Sequence, residues 1–157
     1  MLLPQYRQPE KASDPKLLAH TGGIAMLHDA VIWTANQEIL QKMVREKINF
    51  GDLSKAVWYP YWQPNPYLQT GNKNVVASFY ERDGDLFIIL FNNSAEKQTA
   101  TLKVLSPYLS KYPGDATTKI YNPATEQSRN DPLSSAGTQI ELDPYLPKLV
   151  TLKRSSK

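Results

Sequence analysis

The sequence contains no cysteine. That removes disulfide staples, a thiolate nucleophile and any Cys-ligated zinc or iron–sulfur centre. It also lacks an apolar run near the ~20 residues that a membrane-spanning helix needs. The longest mostly apolar stretch, 22–35, is interrupted by His28 and Asp29. Glycine is sparse, at 7 residues, and forms no phosphate-cradling loop, no nucleophile elbow around a Ser and no dinucleotide fingerprint. Neither charge dominates: 18 Lys and Arg face 15 Asp and Glu, for a net charge of +3. The two signs are interleaved, as in Arg45-Glu46-Lys47 and Glu81-Arg82-Asp83, whereas nucleic-acid binders concentrate their cations on one face or tail. Neither nucleic acid nor a membrane is therefore an expected partner. There are only two histidines, His20 and His28. Eight residues apart on a helix they are separated by ~12 Å, too far to share one ion. No metal site and no cofactor is expected.

What is present suits a folded body. The chain is 157 residues long and 41% hydrophobic, enough for one ordinary domain or a small domain with a helical appendage. Residues 1–13 read as a polar lead-in, and Met1-Leu2-Leu3-Pro4 within it is too short and uncharged for a secretory signal, since Gln5, Arg7, Gln8 and Glu10 follow at once. Asp14-Pro15 is a helix start, since Asp can accept an orphan backbone N–H and Pro fits the first helical position. Leu17, Leu18, Thr21, Ile24, Ala25, Leu27 and His28 recur at helical spacing, so a helix is predicted from Lys16 to about His28. Gly22-Gly23 inside it costs ~1 kcal/mol per Gly unless something packs closely there. His28 and Asp29 are expected to be structural, tethering the chain where it leaves this helix. A second helix is predicted from near Thr34–Gln37, with Leu40, Met43, Val44 and Ile48 in its apolar stripe and an end at Phe50-Gly51.

Trp58-Tyr59-Pro60-Tyr61-Trp62-Gln63-Pro64-Asn65-Pro66-Tyr67 then carries five rings and three prolines. The prolines exclude a helix or central strand and predict a rigid, extended linker. Beyond it the period changes. Strands are predicted at 75–82 and 86–92 around the turn Asp83-Gly84-Asp85, and at 96–104, 117–121, 138–142 and 148–153. Residues 86–92 are apolar on both faces and should be covered on two sides. Residues 105–115 and 122–137 read as loops. Asn92-Asn93-Ser94 matches a glycosylation acceptor but reads as turn chemistry. The predicted fold class is α+β: an N-terminal helical segment of two helices, followed by an antiparallel β-sandwich of about six strands. The expected organisation is a lead-in (1–13), a helical segment (14–57), an aromatic and Pro-rich linker (58–71) and a sandwich (72–157).

This order of segments resembles the C-terminal end of bacterial glycoside hydrolase-like proteins, in particular the family 123-like group. The residues that carry the resemblance are Leu17-Leu18-Ala19-His20, Ile24-Ala25-Met26-Leu27-His28-Asp29, Trp33, Trp58-Tyr59-Pro60-Tyr61-Trp62, Ser78-Phe79-Tyr80-Glu81-Arg82 and 86–92. Ile120-Tyr121-Asn122-Pro123-Ala124-Thr125-Glu126 and Ile140-Glu141-Leu142-Asp143-Pro144-Tyr145 resemble the strands and closing hairpin of β-domains that follow glycosidase barrels. The resemblance implies that 14–57 is the end of a catalytic barrel whose remainder precedes this chain, and that the sandwich is an accessory domain. It implies a periplasmic or secreted protein.

Glycoside hydrolysis generally needs two carboxylates about 5–9.5 Å apart across the scissile bond. Asp14, Asp29, Glu38, Glu46, Asp52, Glu81, Asp83 and Asp85 form no recognisable pair of that kind, so no catalytic residue is assigned and the chain alone is not expected to be an enzyme. Trp58, Tyr59, Tyr61, Trp62 and Tyr67 are candidate carbohydrate contacts, because aromatic faces stack on the C–H faces of sugars. The competing reading is that they glue the helices to the sandwich. Three functions remain open: an accessory part of a glycoside hydrolase-like protein, a stand-alone carbohydrate-binding module, or a structural interaction protein docking through the Leu40, Met43, Val44 and Ile48 stripe.

Overall fold

The computed structural model describes residues 14–30, 37–112, 115–132 and 136–154. Helix α1 spans Pro15–Leu27 and is capped by Asp14, whose carboxylate accepts from the Lys16 and Leu17 N–H groups at 2.8 and 3.3 Å. The helix runs unbroken through Gly22-Gly23. Both glycines are buried, and a Cβ on Gly22 would sit 2.7 Å from Leu40 Cδ2, one on Gly23 2.7 Å from Pro147 Cγ. Close approach of a second helix and of a strand is what these glycines permit. After Leu27 the Asp29 N–H bonds to Met26 O and the Ala30 N–H to Ala25 O, a left-handed helix stop with Asp29 at φ 52°.

Helix α2 spans Glu38–Phe50, with Gln37 as a cap that makes no side-chain bond. Residues 34–36 of the expected helix start lie outside the described residues, as does Trp33. Leu40 and Met43 are fully buried against α1, while Ile48 is 66% exposed. The stripe expected to be bare in a docking protein is therefore covered in its N-terminal half by the chain's own first helix. Gly51, at φ 119°, ends α2, and Asp52 caps a single 3-10 turn over Leu53–Lys55.

The strands are β1 (Val57–Tyr59), β2 (Leu68–Gln69), β3 (Val75–Arg82), β4 (Asp85–Asn92), β5 (Gln98–Val104), β6 (Ala116–Asn122), β7 (Gln127–Pro132), β8 (Thr138–Leu142) and β9 (Pro147–Arg154). They form a six-stranded sheet in the order β1-β3-β4-β9-β6-β7 and a three-stranded sheet in the order β2-β5-β8. All pairings are antiparallel. The six expected strands are present. The other three are β1 and β2, short pieces within the aromatic linker, and β7, inside the expected polar loop. β1 pairs only with β3, at a sheet edge, which is why a Pro-rich neighbourhood tolerates it. A short helix α3, Ser106–Lys111 with Pro107 in its first turn, occupies the expected loop after β5.

The molecule has three layers. Leu86, Ile88 and Leu90 of β4 point into the core between the sheets, with Phe79, Leu102, Ile140 and Val150. Phe87, Ile89 and Phe91 point the other way, under Leu18, Met26, Leu40 and Met43 of the helices. β4 is thus covered on both faces. The hairpin β3–β4 is locked by Glu81, only 5% exposed, whose carboxylate accepts from the Gly84 N–H at 3.2 Å and the Tyr112 hydroxyl at 2.6 Å. Asn92, fully buried, donates to Glu96 O, Leu142 O and Asp143 O and accepts from Ser94. Its amide is committed to holding the sheets' ends together, which is the turn role expected for it.

Candidate functional site

The helix stop after α1 and the linker after β1 meet at one end of the six-stranded sheet. The backbone makes the junction first. Ser78 of β3 donates its hydroxyl to Leu27 O at 2.8 Å and accepts the Tyr61 N–H at 3.0 Å. One buried hydroxyl therefore ties the end of α1 to the linker. On this frame the His28 Nδ1–H donates to Ile24 O at 2.9 Å, which leaves Nε2 facing the Tyr61 hydroxyl at 3.4 Å. Trp62 stacks on the His28 ring, with centroids 5.6 Å apart and planes at 23°, while Tyr61 meets both rings edge-on at 5.6 and 5.1 Å. Trp62 is 53% and Tyr61 39% exposed.

Asp29 forms the polar side of the cluster. Its Oδ1 accepts from the Tyr80 hydroxyl and from Lys47 Nζ, the latter at 2.8 Å. Both bonds fall on Oδ1, so Oδ2 has no partner among the described residues. Lys47 also lies over the Tyr80 ring at 4.7 Å. Burial, then the bond to Asp29, pushes the Tyr80 hydroxyl well above the usual tyrosine range. The result is two open aromatic rings packed on His28 and, on the next residue, a carboxylate whose Oδ2 has no partner among the described residues.

The other linker rings go elsewhere. Trp58 is half-buried over Tyr80, at 4.5 Å, on the helix side of the sheet. Tyr59 stacks on Phe79 at 4.7 Å and 10°, and Tyr67, 9% exposed, packs on Tyr59 and Tyr108. The alternation of β1 sends Trp58 and Tyr59 to opposite faces of the sheet. The sequence singled out Tyr61, Trp62, His28 and Asp29, but not that they converge. It gave no site role to Lys47, Ser78 or Tyr80; the alternation of β3 put Ser78 and Tyr80 on one face, yet nothing in it pointed to Asp29.

Most of the candidate carboxylates are occupied locally. Asp14 caps α1, Asp52 caps the turn after α2, Asp85 accepts the Arg154 N–H at 3.0 Å, Glu46 pairs with Lys119 at 2.7 Å, and Glu38 with Lys42 at 2.8 Å. Asp83, at φ 53°, belongs to the hairpin turn. His20 donates its Nδ1–H to Tyr145 O at 2.7 Å, so each histidine serves a carbonyl. No group of three metal-ligating side chains occurs among the described residues, and no helix there is long and apolar enough to cross a membrane.

No protein-family model matches the chain, and no curated protein does. Solved structures do. A candidate alpha-N-acetylgalactosaminidase of Bacillus halodurans C-125 superposes with a TM-score of 0.54 at 19% identity, over 92% of this chain and 33% of that one. An alpha-amylase of Anoxybacillus matches at a TM-score of 0.47 and 11% identity, over 76% and 23%. A GH30 endoxylanase of Clostridium papyrosolvens C71 matches at 0.41 and 13%, over 55% and 22%. The chain spans about a third of the first of these proteins, and the helices and sheets described above share their fold with part of a glycoside hydrolase-like protein.

Proposed function

We propose that this chain is the C-terminal part of a glycoside hydrolase-like protein, of the family 123-like group, in which residues 14–57 close a catalytic barrel and the sandwich is a non-catalytic accessory domain. In this reading Tyr61 and Trp62 form a saccharide platform, with Asp29 Oδ2 accepting a sugar hydroxyl. The observation that carries it is a pair of exposed rings packed on His28, next in sequence to a carboxylate whose Oδ2 has no partner among the described residues. A ring whose face is open to water can stack on the C–H face of a sugar, and the nearby acceptor sets the ring's orientation. Trp58, Tyr59 and Tyr67 act as glue between layers and take no part in binding. The fold likeness to a much longer protein supports the reading, as does the local use of most other candidate carboxylates. A stand-alone carbohydrate-binding module is the alternative that the same platform would serve.

The test combines turnover and binding. The isolated chain should hydrolyse neither aryl-N-acetylgalactosaminides nor aryl-glucosides above buffer. Its Trp fluorescence should change saturably with N-acetylgalactosamine or with maltotriose or xylotriose, and Trp62→Ala should abolish that change. Turnover that is lost on mutating a carboxylate would overturn the accessory role. A fluorescence response that survives Trp62→Ala would overturn the platform.

A further inference from the structure

A second feature lies at the opposite side of the sandwich. The six-stranded sheet is wider than the three-stranded sheet that covers it, and β7 is its edge strand. Beyond β8 the inner face of β6–β7 is uncovered, and a cavity of about 280 Å³ opens there. This is just below the range of typical small-ligand sites, roughly 300–1,000 Å³. Ile120 of β6 and Ile140 of β8 line it as apolar surfaces, each almost fully buried. Arg129 lies opposite Ile120 in the β6–β7 register, and Ile120 lies opposite Val150 of β9, so Arg129 shares the inner face with the core. Lys148 of β9 pairs with Leu90 and lies on that same inner face.

An inward-facing lysine at the end of an apolar core needs a reason. Lys148 forms no ion pair with any described carboxylate and no hydrogen bond with a described residue. Two of its neighbours are already committed. Glu141 pairs with Lys97 at 2.6 Å, and Arg129 pairs with Asp131 at 3.2 Å while donating to Gln139 O at 2.6 Å. Asp143 and Glu141 favour the Lys148 charge only through space, and Arg129 and Lys97 oppose it. Burial holds its ammonium below the usual lysine range. One half-desolvated cation with no described carboxylate in ion-pair contact is thus held at a cavity whose walls offer apolar surface and the polar side chain of Gln127.

We propose that this cavity is a binding site for a monosaccharide-sized ligand carrying a single carboxylate, a hexuronate in chemical class, with Lys148 as its counter-ion. Ile120 and Ile140 face the C–H side of the ring, and Gln127 meets its hydroxyls. A single negative charge is favoured over a dianion because only Lys148 is uncommitted, while Glu141 and Asp143 stand close by. The site is separate from the Tyr61 and Trp62 platform and does not depend on it.

The test is calorimetric titration of the chain with sodium glucuronate, glucose and inorganic phosphate, repeated with Lys148→Met and Lys148→Gln and with near-ultraviolet spectra to confirm the fold. Glucuronate should saturate one site and bind at least tenfold more tightly than glucose or phosphate, and both substitutions should remove that tenfold. Trp62→Ala should leave it unchanged, which separates this site from the platform. In parallel, nuclear magnetic resonance of the Lys148 side chain should show its titration moving upward when glucuronate binds. Glucuronate no tighter than glucose, phosphate equal to glucuronate, or indifference to both Lys148 substitutions would each overturn the assignment.

Discussion

Asp29 occupies a backbone position that glycine fills at less cost. A non-glycine residue in the left-handed region gives up about 1 kcal/mol there, although Asp tolerates it better than most. What the residue gains is side-chain chemistry: its carboxylate joins the Tyr80 hydroxyl of β3 to Lys47 of α2, whose side chain is 17% exposed. Asp29→Gly should therefore keep the turn but lower stability by about 1 kcal/mol, the lost bonds outweighing the relieved backbone. Asp29→Ala loses both and should cost about 1 kcal/mol more. Urea unfolding of the two variants checks the order, and Ala more stable than Gly would contradict it. The glycines of α1 make a second residue-scale contrast. At Gly22 an added Cβ meets the flexible ends of Leu40 and Met43, and at Gly23 it meets the ring of Pro147 and Phe91. Gly22→Ala should be near neutral, helix propensity offsetting the crowding. Gly23→Ala should lose about 1–2 kcal/mol, because a proline ring fixed in a strand cannot yield. Equal effects at the two positions in thermal unfolding would refute this account of the pair.

The elements that could be read in advance were those whose pattern reports their burial. The two-faced apolar run of β4 foretold a strand between two layers, and Asp14-Pro15 foretold where α1 begins. β7 was illegible for the opposite reason. Gln127, Arg129 and Asp131 face the inner side of the sheet where no second layer covers them, so the strand carries no alternation of apolar and polar residues. β1 was hidden by the prolines that follow it, and α3 by its length of fewer than two turns. In the candidate site the residue types were visible, but their convergence depends on Ser78 binding both α1 and the linker, a contact across 51 residues of sequence. Two predictions belong here. Asp14→Ala should destabilise α1 by about 1 kcal/mol, seen in circular dichroism melts. Tyrosines also bind layers together: Tyr80 donates to Asp29 and the buried Tyr108 to Gly84 O. Burial raises both hydroxyls above their ordinary range, with the Asp29 bond adding to the shift at Tyr80 and the charge of Asp85 to that at Tyr108. The native state then holds protons that the unfolded chain releases above pH ~10, so stability is complete below that pH and falls as pH rises beyond it. The melting temperature should drop between pH 9 and 11, and Tyr80→Phe should flatten part of that drop. An unchanged slope would show that Tyr80 does not carry it.

Across the whole molecule the helices and both sheets form one stack, with helices on one face of a wide sheet and a narrow sheet on the other. The arrangement explains why the linker's rings divide. Those facing inward fill the interlayer core or seal the helix layer, and those past Pro60 emerge beside the helix stop. On the proposed function this emergent pair, Tyr61 and Trp62, meets saccharide while the remaining rings do not. The protein has three tryptophans, so its indole N–H region in a ¹⁵N-correlated spectrum holds three signals that can be assigned by substitution. The decisive measurement is that spectrum during titration with N-acetylgalactosamine, maltotriose and xylotriose. The account predicts that the Trp62 indole shifts saturably with at least one of them, with Trp58 responding far less. A Trp62 signal that stays fixed throughout, or a response confined to Trp58 or Trp33, would contradict it.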